Sequence, residues 1–242
     1  MFHRQFTDKR IAVTSLRRLY LANGIKRKKV RQEKVLPGRL RADFAQRCQL
    51  LLDALQQAKN EGRKLIYLDE INFTKRSLKL REWACKNSNL SVNQQDVYVG
   101  YRSVIASMSE PAGIGLISIY GQAINALDFL AYIKKLRAKS GKQSIALFMD
   151  NLMVHKSREV KEWYSKLNIK PVYNVSYSPE FNPIEAVFSK VKARFAEQRL
   201  NDLVNKRGFN ADREIEAAFK TITADHCAAC VRKSLFLLER AS

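Results

Sequence analysis

The sequence has little of several features that would each mark a class of protein. Its 242 residues include only four cysteines, which do not suggest a disulfide framework in a chain of this length. No apolar run approaches the ~20 residues that a membrane span needs, and the first ten residues lack the apolar region of a secretory signal. We therefore expect an intracellular protein without a membrane partner, nuclear in a eukaryote and otherwise cytoplasmic.

Negative charge is also scarce. The chain carries 44 lysines and arginines against 23 aspartates and glutamates, so its formal net charge is +21. Such an excess is typical of proteins that bind nucleic acid. Charge alone fits a ribosome-like protein without chemistry equally well. The hydrophobic fraction of 46% is ordinary for a globular protein and predicts a real core.

The first forty residues differ from the rest and are predicted to form a separate region. Apolar spacing predicts a helix from Ile11 to Asn23, with Gly24 as its stop. Five of the six residues 26–31 are positive, which predicts an arm along phosphates or, equally, a nuclear import signal. The candidate DNA contacts of this region are Arg17, Arg18, Lys26, Arg27, Lys28, Lys29 and Arg31.

Residues 41–242 are predicted to form one α/β domain with a helical C-terminal tail. The predicted elements are a helix over 40–60, strands over 64–70, 97–108 and 113–120, a helix over 125–139, a strand over 145–149, a helix over 157–167, a strand over 171–175, a helix from Pro183 capped by Asn182, and one or two helices over 212–240. Residues 74–96 are expected to be an exposed connection. A hairpin followed by alternating helices and strands predicts a mixed five-stranded sheet with helices on both faces, as in the ribonuclease-H-like architecture.

Three acidic residues stand at the ends of predicted elements. Asp69 and Asp150 each end an apolar strand, and Glu185 is the third residue of a helix, on the border of its apolar face. Singly, each has a structural explanation, since charged residues often end strands and a first-turn Glu complements the helix dipole. Together, three such carboxylates can hold two divalent metal ions for phosphodiester chemistry.

Two residues close to these acids bear on the same site. Glu70 follows Asp69 directly, and successive strand residues point to opposite faces, so only one of the two is expected to serve a given site. His155, five residues after Asp150, could orient a phosphate or a carboxylate.

The residues around these acids indicate a protein family more specifically than the acids themselves do. Residues 177–185 read Tyr-Ser-Pro-Glu-Phe-Asn-Pro-Ile-Glu and are followed by Phe188, Lys190 and Lys192. This segment resembles the signature of Tc/mariner-type transposases and related bacterial insertion-sequence enzymes. Residues 68–70 and 149–151 resemble the first two acidic boxes of that family, and 34 residues separate Asp150 from Glu185, as in one of its large branches. The resemblance covers roughly residues 41–199.

The resemblance implies cut-and-paste DNA transposition, in which DNA strands are cleaved and transferred. It implies that Asp69, Asp150 and Glu185 bind two Mg²⁺ or Mn²⁺ ions, that the partners are the double-stranded DNA of transposon ends and target, and that the enzyme is a homodimer on DNA. His155, Lys190 and Lys192 are further candidate DNA contacts. Two alternatives stay open: a ribonuclease-H-like nuclease without transposition, and a non-autonomous or domesticated DNA-binding derivative of a transposase.

Two features depart from the resemblance or compete with it. The family normally has two helix-turn-helix modules before the catalytic domain, whereas here only residues 14–20 resemble its final recognition helix, so residues 1–40 are expected to be a remnant. Cys227 and Cys230, with His226 beside them, suggest zinc, but this pair supplies too few ligands for a finger. We expect two thiols on a C-terminal helix.

Overall fold

The computed structural model describes residues 12–25, 42–74, 100–205 and 207–242. The chain divides into two compact units, Met1–Pro37 and Gly38–Ser242. In the first unit, the described residues form helix α1 (Val13–Ala22), which ends before Gly24 and exposes Arg17 and Arg18. The basic arm predicted over 26–31 and nearly all of the predicted connection 74–96 lie outside the described residues.

A mixed sheet forms the centre of the second unit. Its strands are β1 (Lys64–Phe73), β2 (Arg102–Ser109), β3 (Gly113–Tyr120), β4 (Ile145–Met149) and β5 (Ile169–Tyr173). Their spatial order is β3-β2-β1-β4-β5, and β1 pairs antiparallel with β2 and parallel with β4. The prediction of five strands in a mixed sheet is confirmed.

Helices cover both faces of this sheet, as predicted. They are α2 (Phe44–Asn60), α3 (Ala126–Lys139), α4 (Arg158–Lys166), α5 (Pro183–Val204), α6 (Ala211–Lys220) and α7 (Ala224–Glu239). Helices α2, α5, α6 and α7 pack with Tyr67 and Phe148 on one face, whereas α3 and α4 pack with Leu68 and Leu147 on the other. Successive strand residues thus contribute alternately to two separate hydrophobic layers, one on each face of the sheet. Among the helices of the described residues, none combines the length and apolarity needed to cross a bilayer.

Several elements form where the local sequence predicts them. All five residues of β4 are buried, as expected for a parallel strand covered on both faces. Helix α3 begins with a reciprocal capping box, in which the Asn125 side chain accepts from the Asp128 N–H and the Asp128 carboxylate accepts from the Asn125 N–H. Three strands differ from their predicted limits. β1 extends three residues further, to Phe73, and β5 lies two residues earlier. β2 begins at Arg102 and ends at Ser109 instead of spanning 97–108, of which residues 97–99 lie outside the described residues.

Candidate active site

The parallel pairing of β1 and β4 sets the positions of the first two acids. The last paired residues are Tyr67 and Phe148. Asp69 and Asp150 each lie two residues further along, so they sit level with each other where the two strands diverge. Adjacent strands run about 4.8 Å apart, and residues two apart share a face. Both carboxylates therefore lie side by side on the same face of the sheet, where the pairing of β1 with β4 ends.

Glu185 reaches this edge from helix α5. Pro183 occupies the first helical position, which its fixed backbone angle favours, and Glu185 is third. The helix is anchored from behind by buried Ile184 and Val187, whereas Glu185 is half-buried. A cleft of about 400 Å³ is lined by Asp69, Asp150 and Glu185 together with the loop 174–179 and residues 151, 152 and 182. The three predicted acids thus share one cleft.

Asn182 connects helix α5 to the end of β1, contrary to the prediction that its side chain caps the helix. It stands at the N-cap position but makes no side-chain capping bond. Its Nδ2 instead donates to Asp69 Oδ2 at 3.1 Å and to the carbonyl of Leu68 at 3.2 Å. The residue is only 2% exposed, and its Oδ1 is buried without a partner. The amide that would have satisfied a helix end orients Asp69 instead.

Asp69 is held in an environment that opposes its negative charge. It is 8% exposed, and its burial is the main reason why its pKa is raised to about 8. The carboxylates of Glu70, Glu185 and Asp150 raise that pKa further, while the hydrogen bond from the Glu70 N–H to Asp69 Oδ1, 2.8 Å long, lowers it. A divalent cation would relieve this repulsion, and carboxylate oxygens are the ligands that Mg²⁺ and Mn²⁺ prefer. The donor set therefore fits such an ion.

His155 lies behind Asp150 and was wrongly predicted to contact DNA. Its side chain is completely buried. Its Nδ1 is 3.0 Å from Asp150 Oδ1, and its Nε2 is 2.9 Å from Glu70 Oε1. Burial lowers the pKa of the ring, but the hydrogen bonds to Asp150 and Glu70 outweigh burial and raise it to about 10. A ring without exposed surface cannot reach a phosphate, so His155 orients carboxylates.

Glu70 is the residue that sequence reasoning set aside. It lies on the face of β1 opposite to Asp69, as alternation requires, yet it enters the site through His155. Among the described residues, Glu70, Asp150 and His155 form the one group of three potential metal ligands whose atoms lie within 4.8 Å of one another. The role of Glu70 could have been predicted from His155, because an imidazole ring has two nitrogens and can therefore contact a second carboxylate besides Asp150.

The cysteine pair gathers no third ligand within the part of the chain that the structure describes. Cys227 and Cys230 are both buried on α7, and Cys230 Sγ lies 3.8 Å from His226 Nε2. Burial raises the pKa of the Cys227 thiol to about 11. A zinc ion needs thiolates, which such a pKa disfavours.

Two exposed lysines follow Glu185 on helix α5. Lys190 and Lys192 both face solvent, and Lys190 lines a groove of about 670 Å³ with Arg194 and Thr221. This placement makes them accessible to a polyanion, but their contact with DNA stays a prediction, as does that of Arg17 and Arg18.

The loop between β5 and α5 holds an exposed aromatic residue at the cleft. Tyr177 is 66% exposed and has φ = 62°, a left-handed conformation that is rare for a bulky residue. Buried Asn174 fixes this loop, because its Nδ2 donates to the Ser178 carbonyl at 2.7 Å and its Oδ1 accepts from the Val175 N–H at 2.8 Å. This role of Asn174 was not predicted from the sequence.

Comparison with known proteins agrees with this geometry. The profile of the DDE superfamily endonuclease family matches residues 64–205, a segment that contains all three acids and more than half of the chain. The chain is also 32% identical over 74 residues to the insertion element IS630 uncharacterized 39 kDa protein of Shigella sonnei. That match covers 30% of this chain and 21% of the relative, so the chain aligns with about a fifth of that protein's length.

Solved structures of a mariner protein share the fold. The Mos1 paired-end complex with Mg has a TM-score of 0.62 and 12% identity, covering 99% of this chain and 72% of the Mos1 chain. The Mos1 strand transfer complex has a TM-score of 0.55 and 14% identity, covering 96% and 72%. At this level of identity the similarity shows the fold, and it confirms the predicted ribonuclease-H-like architecture.

Proposed function

Because the chain belongs to the DDE superfamily endonuclease family, we propose that it is a DDE transposase that cleaves DNA strands and joins them to new sites. The observation that carries the proposal is the single cleft in which Asp69, Asp150 and Glu185 meet. The resemblance of residues 177–185 to the Tc/mariner signature supports the same conclusion.

Asp69, Asp150 and Glu185 would hold the divalent metal, and we propose two Mg²⁺ or Mn²⁺ ions. Bound ions of this kind polarise a phosphate and lower the pKa of the water or 3′-hydroxyl that attacks it. The protein itself positions the carboxylates that would bind these ions. The sheet and helix α5 fix the three carboxylates, Asn182 orients Asp69, and burial of Asp69 keeps bulk water away from it.

The proposed substrates are the double-stranded DNA of transposon ends and of the target. The net charge of +21 favours such a polyanion, and the exposed Lys190 and Lys192 are candidate phosphate contacts. We further propose that the protein acts as a homodimer on DNA. The support is that the similar Mos1 structures are paired-end complexes.

The proposal is tested by a matched pair of glutamate substitutions in the full chain. Glu185→Gln removes a carboxylate from the cleft, whereas Glu180→Gln makes the same change five residues earlier, at an exposed residue that does not line it. The assay follows Mg²⁺-dependent nicking and strand transfer on DNA from the borders of the element that encodes the chain. We expect Glu185→Gln to lose both activities and keep DNA binding in a gel-shift assay, and Glu180→Gln to keep all three.

The other outcomes separate the alternatives. Cleavage by the wild type without joined products would identify a nuclease rather than a transposase. DNA binding with neither reaction would identify a non-catalytic derivative. Wild-type activity in Glu185→Gln would remove Glu185 from the site, and the same test applies to Asp69→Asn and Asp150→Asn.

A further inference from the structure

We infer that Glu70 and His155 are positioning residues that fix the orientation of the Asp150 carboxylate through a buried chain of hydrogen bonds. The inference rests on the proposed function, since it takes Asp150 to be a metal ligand. It adds a second layer behind the acidic cleft, built from the opposite face of the sheet.

The geometry of the imidazole ring is the first support. Nε2 forms a hydrogen bond of 2.9 Å with Glu70 Oε1, and Nδ1 lies 3.0 Å from Asp150 Oδ1 and 3.4 Å from the Asp150 carbonyl oxygen. Each ring nitrogen thus faces one of the two carboxyl groups. Charge-assisted bonds of this kind are short and directional. Because rotation of the ring would break both bonds, each carboxylate limits the movement of the other.

The surroundings of Glu70 and His155 are the second support. Within the described residues, Glu70 Oε2 is buried without a hydrogen-bond partner. The hydrogen bond of the Glu70 side chain there is the one between its Oε1 and His155. The His155 ring lies against Phe129, with 4.3 Å between ring centroids. Its backbone carbonyl accepts from the hydroxyls of Tyr164 and Tyr173 at 3.2 and 3.3 Å. The turn that carries His155 is therefore held on several sides.

A metal ion bound directly by Glu70, Asp150 and His155 is the competing use of the same cluster. The two carboxylates lie at different nitrogens of the ring, which point away from each other. One ion could replace the proton at one nitrogen only, and the carboxylate at the other nitrogen would still need a donor. The arrangement fits a carboxylate–histidine–carboxylate chain behind a metal ligand, a recurrent device for orienting such ligands.

The test measures Mn²⁺ binding to the metal-free full chain by electron paramagnetic resonance, and thermal unfolding of the same samples by circular dichroism. His155→Gln and His155→Ala leave no donor at the Nδ1 position, whereas the amide of His155→Asn places one there. We expect the first two to weaken Mn²⁺ binding about 10- to 100-fold, as loss of such partners usually does, and His155→Asn to retain most of the affinity. Glu70→Ala should likewise weaken binding more than Glu70→Gln, which keeps an acceptor.

Tyr132→Phe is the matched structural control. It removes the hydroxyl of a fully buried tyrosine that donates to the Leu116 carbonyl at 2.8 Å, and it leaves both ring contacts of His155 in place. We expect it to lower the melting temperature and to leave Mn²⁺ affinity unchanged. Equal Mn²⁺ affinity in all His155 and Glu70 variants, with lowered melting temperatures, would show a merely structural role and overturn the inference. Coupling of Mn²⁺ to a directly bound imidazole nitrogen in pulsed spectra would overturn it in favour of the direct metal site.

Asp69→Asn and Glu185→Gln in the same titration separate the positioning role of His155 from the proposed metal site itself. If they lose Mn²⁺ affinity while the His155 variants do not, only the inference about positioning fails. If they bind Mn²⁺ as the wild type does, the metal site of the proposed function fails as well.

Discussion

Replacing Asp69 by asparagine should make the metal-free protein more stable at high pH, although it removes a predicted metal ligand. Burial is the main reason why the pKa of this carboxyl is about 8 rather than 3.8. Between these two pH values the folded chain holds a proton that the unfolded chain has released. The free energy of unfolding of the wild type therefore falls as the pH rises through this window, and Asp69→Asn lacks this loss.

The magnitude follows from the two pKa values. Each pH unit between them corresponds to about 1.4 kcal/mol, so the full difference from 3.8 to about 8 is at most about 6 kcal/mol. Asparagine offers one acceptor where the carboxylate offers two, for the N–H of Glu70 and the amide of Asn182. Losing one of these bonds costs about 1 kcal/mol at every pH. We expect a gain of several kcal/mol above pH 8 that disappears near pH 4.

The assay is urea unfolding in EDTA at intervals from pH 4 to pH 9, and the quantity of interest is the variant minus the wild type. Asp225→Asn removes the same charge from an exposed residue of α7 that does not line the cleft, and it supplies the baseline. Saturating Mg²⁺ should then stabilise the wild type at high pH, by about 2.7 kcal/mol at a hundredfold excess over the dissociation constant, and leave Asp69→Asn unchanged. A difference that stays flat from pH 4 to pH 9 would refute the reasoning.

Three further predictions follow from other parts of the structure. Tyr177→Asn should raise the free energy of unfolding by about 1 kcal/mol relative to Tyr177→Ala, because asparagine tolerates the left-handed backbone; equal stability in urea unfolding would contradict this. Neutralising Lys190 and Lys192 to glutamine should lower the slope of log affinity against log salt by about 0.9 for each lost phosphate contact; an unchanged slope would remove them from the interface. Elemental analysis of the purified chain should find no stoichiometric zinc, and Cys227→Ser with Cys230→Ser should not change its metal content.

The sequence predicted the layout of the sheet because strand signals here are local. β3 and β4 have the predicted limits, since each is an apolar run between turn residues. The two parallel strands then placed Asp69 and Asp150 at one edge without further information. For the same reason, the cleft that holds the three acids followed from the pattern.

What the sequence did not predict depends on contacts between distant residues. Asn182 has all the marks of a helix cap, but its amide is more than a hundred residues away in sequence from the aspartate it orients. Glu70 was set aside because strand alternation considers one face at a time, and its link to the site runs through His155, 85 residues later. β5 ends at Tyr173, and the next residue, Asn174, uses its side chain to hold the loop.

Because β1 carries two adjacent carboxylates with different roles, the function of this strand depends on its register in the sheet as well as on its side chains. Asp69 serves the cleft on one face and Glu70 serves His155 on the other, in a strand bonded to neighbours on both edges. A one-residue insertion or deletion before Asp69 would send each acid to the wrong face. Length changes in β1 should therefore be far more damaging than conservative substitutions at most of its positions, and functional relatives should vary in the composition of this strand before they vary in its spacing.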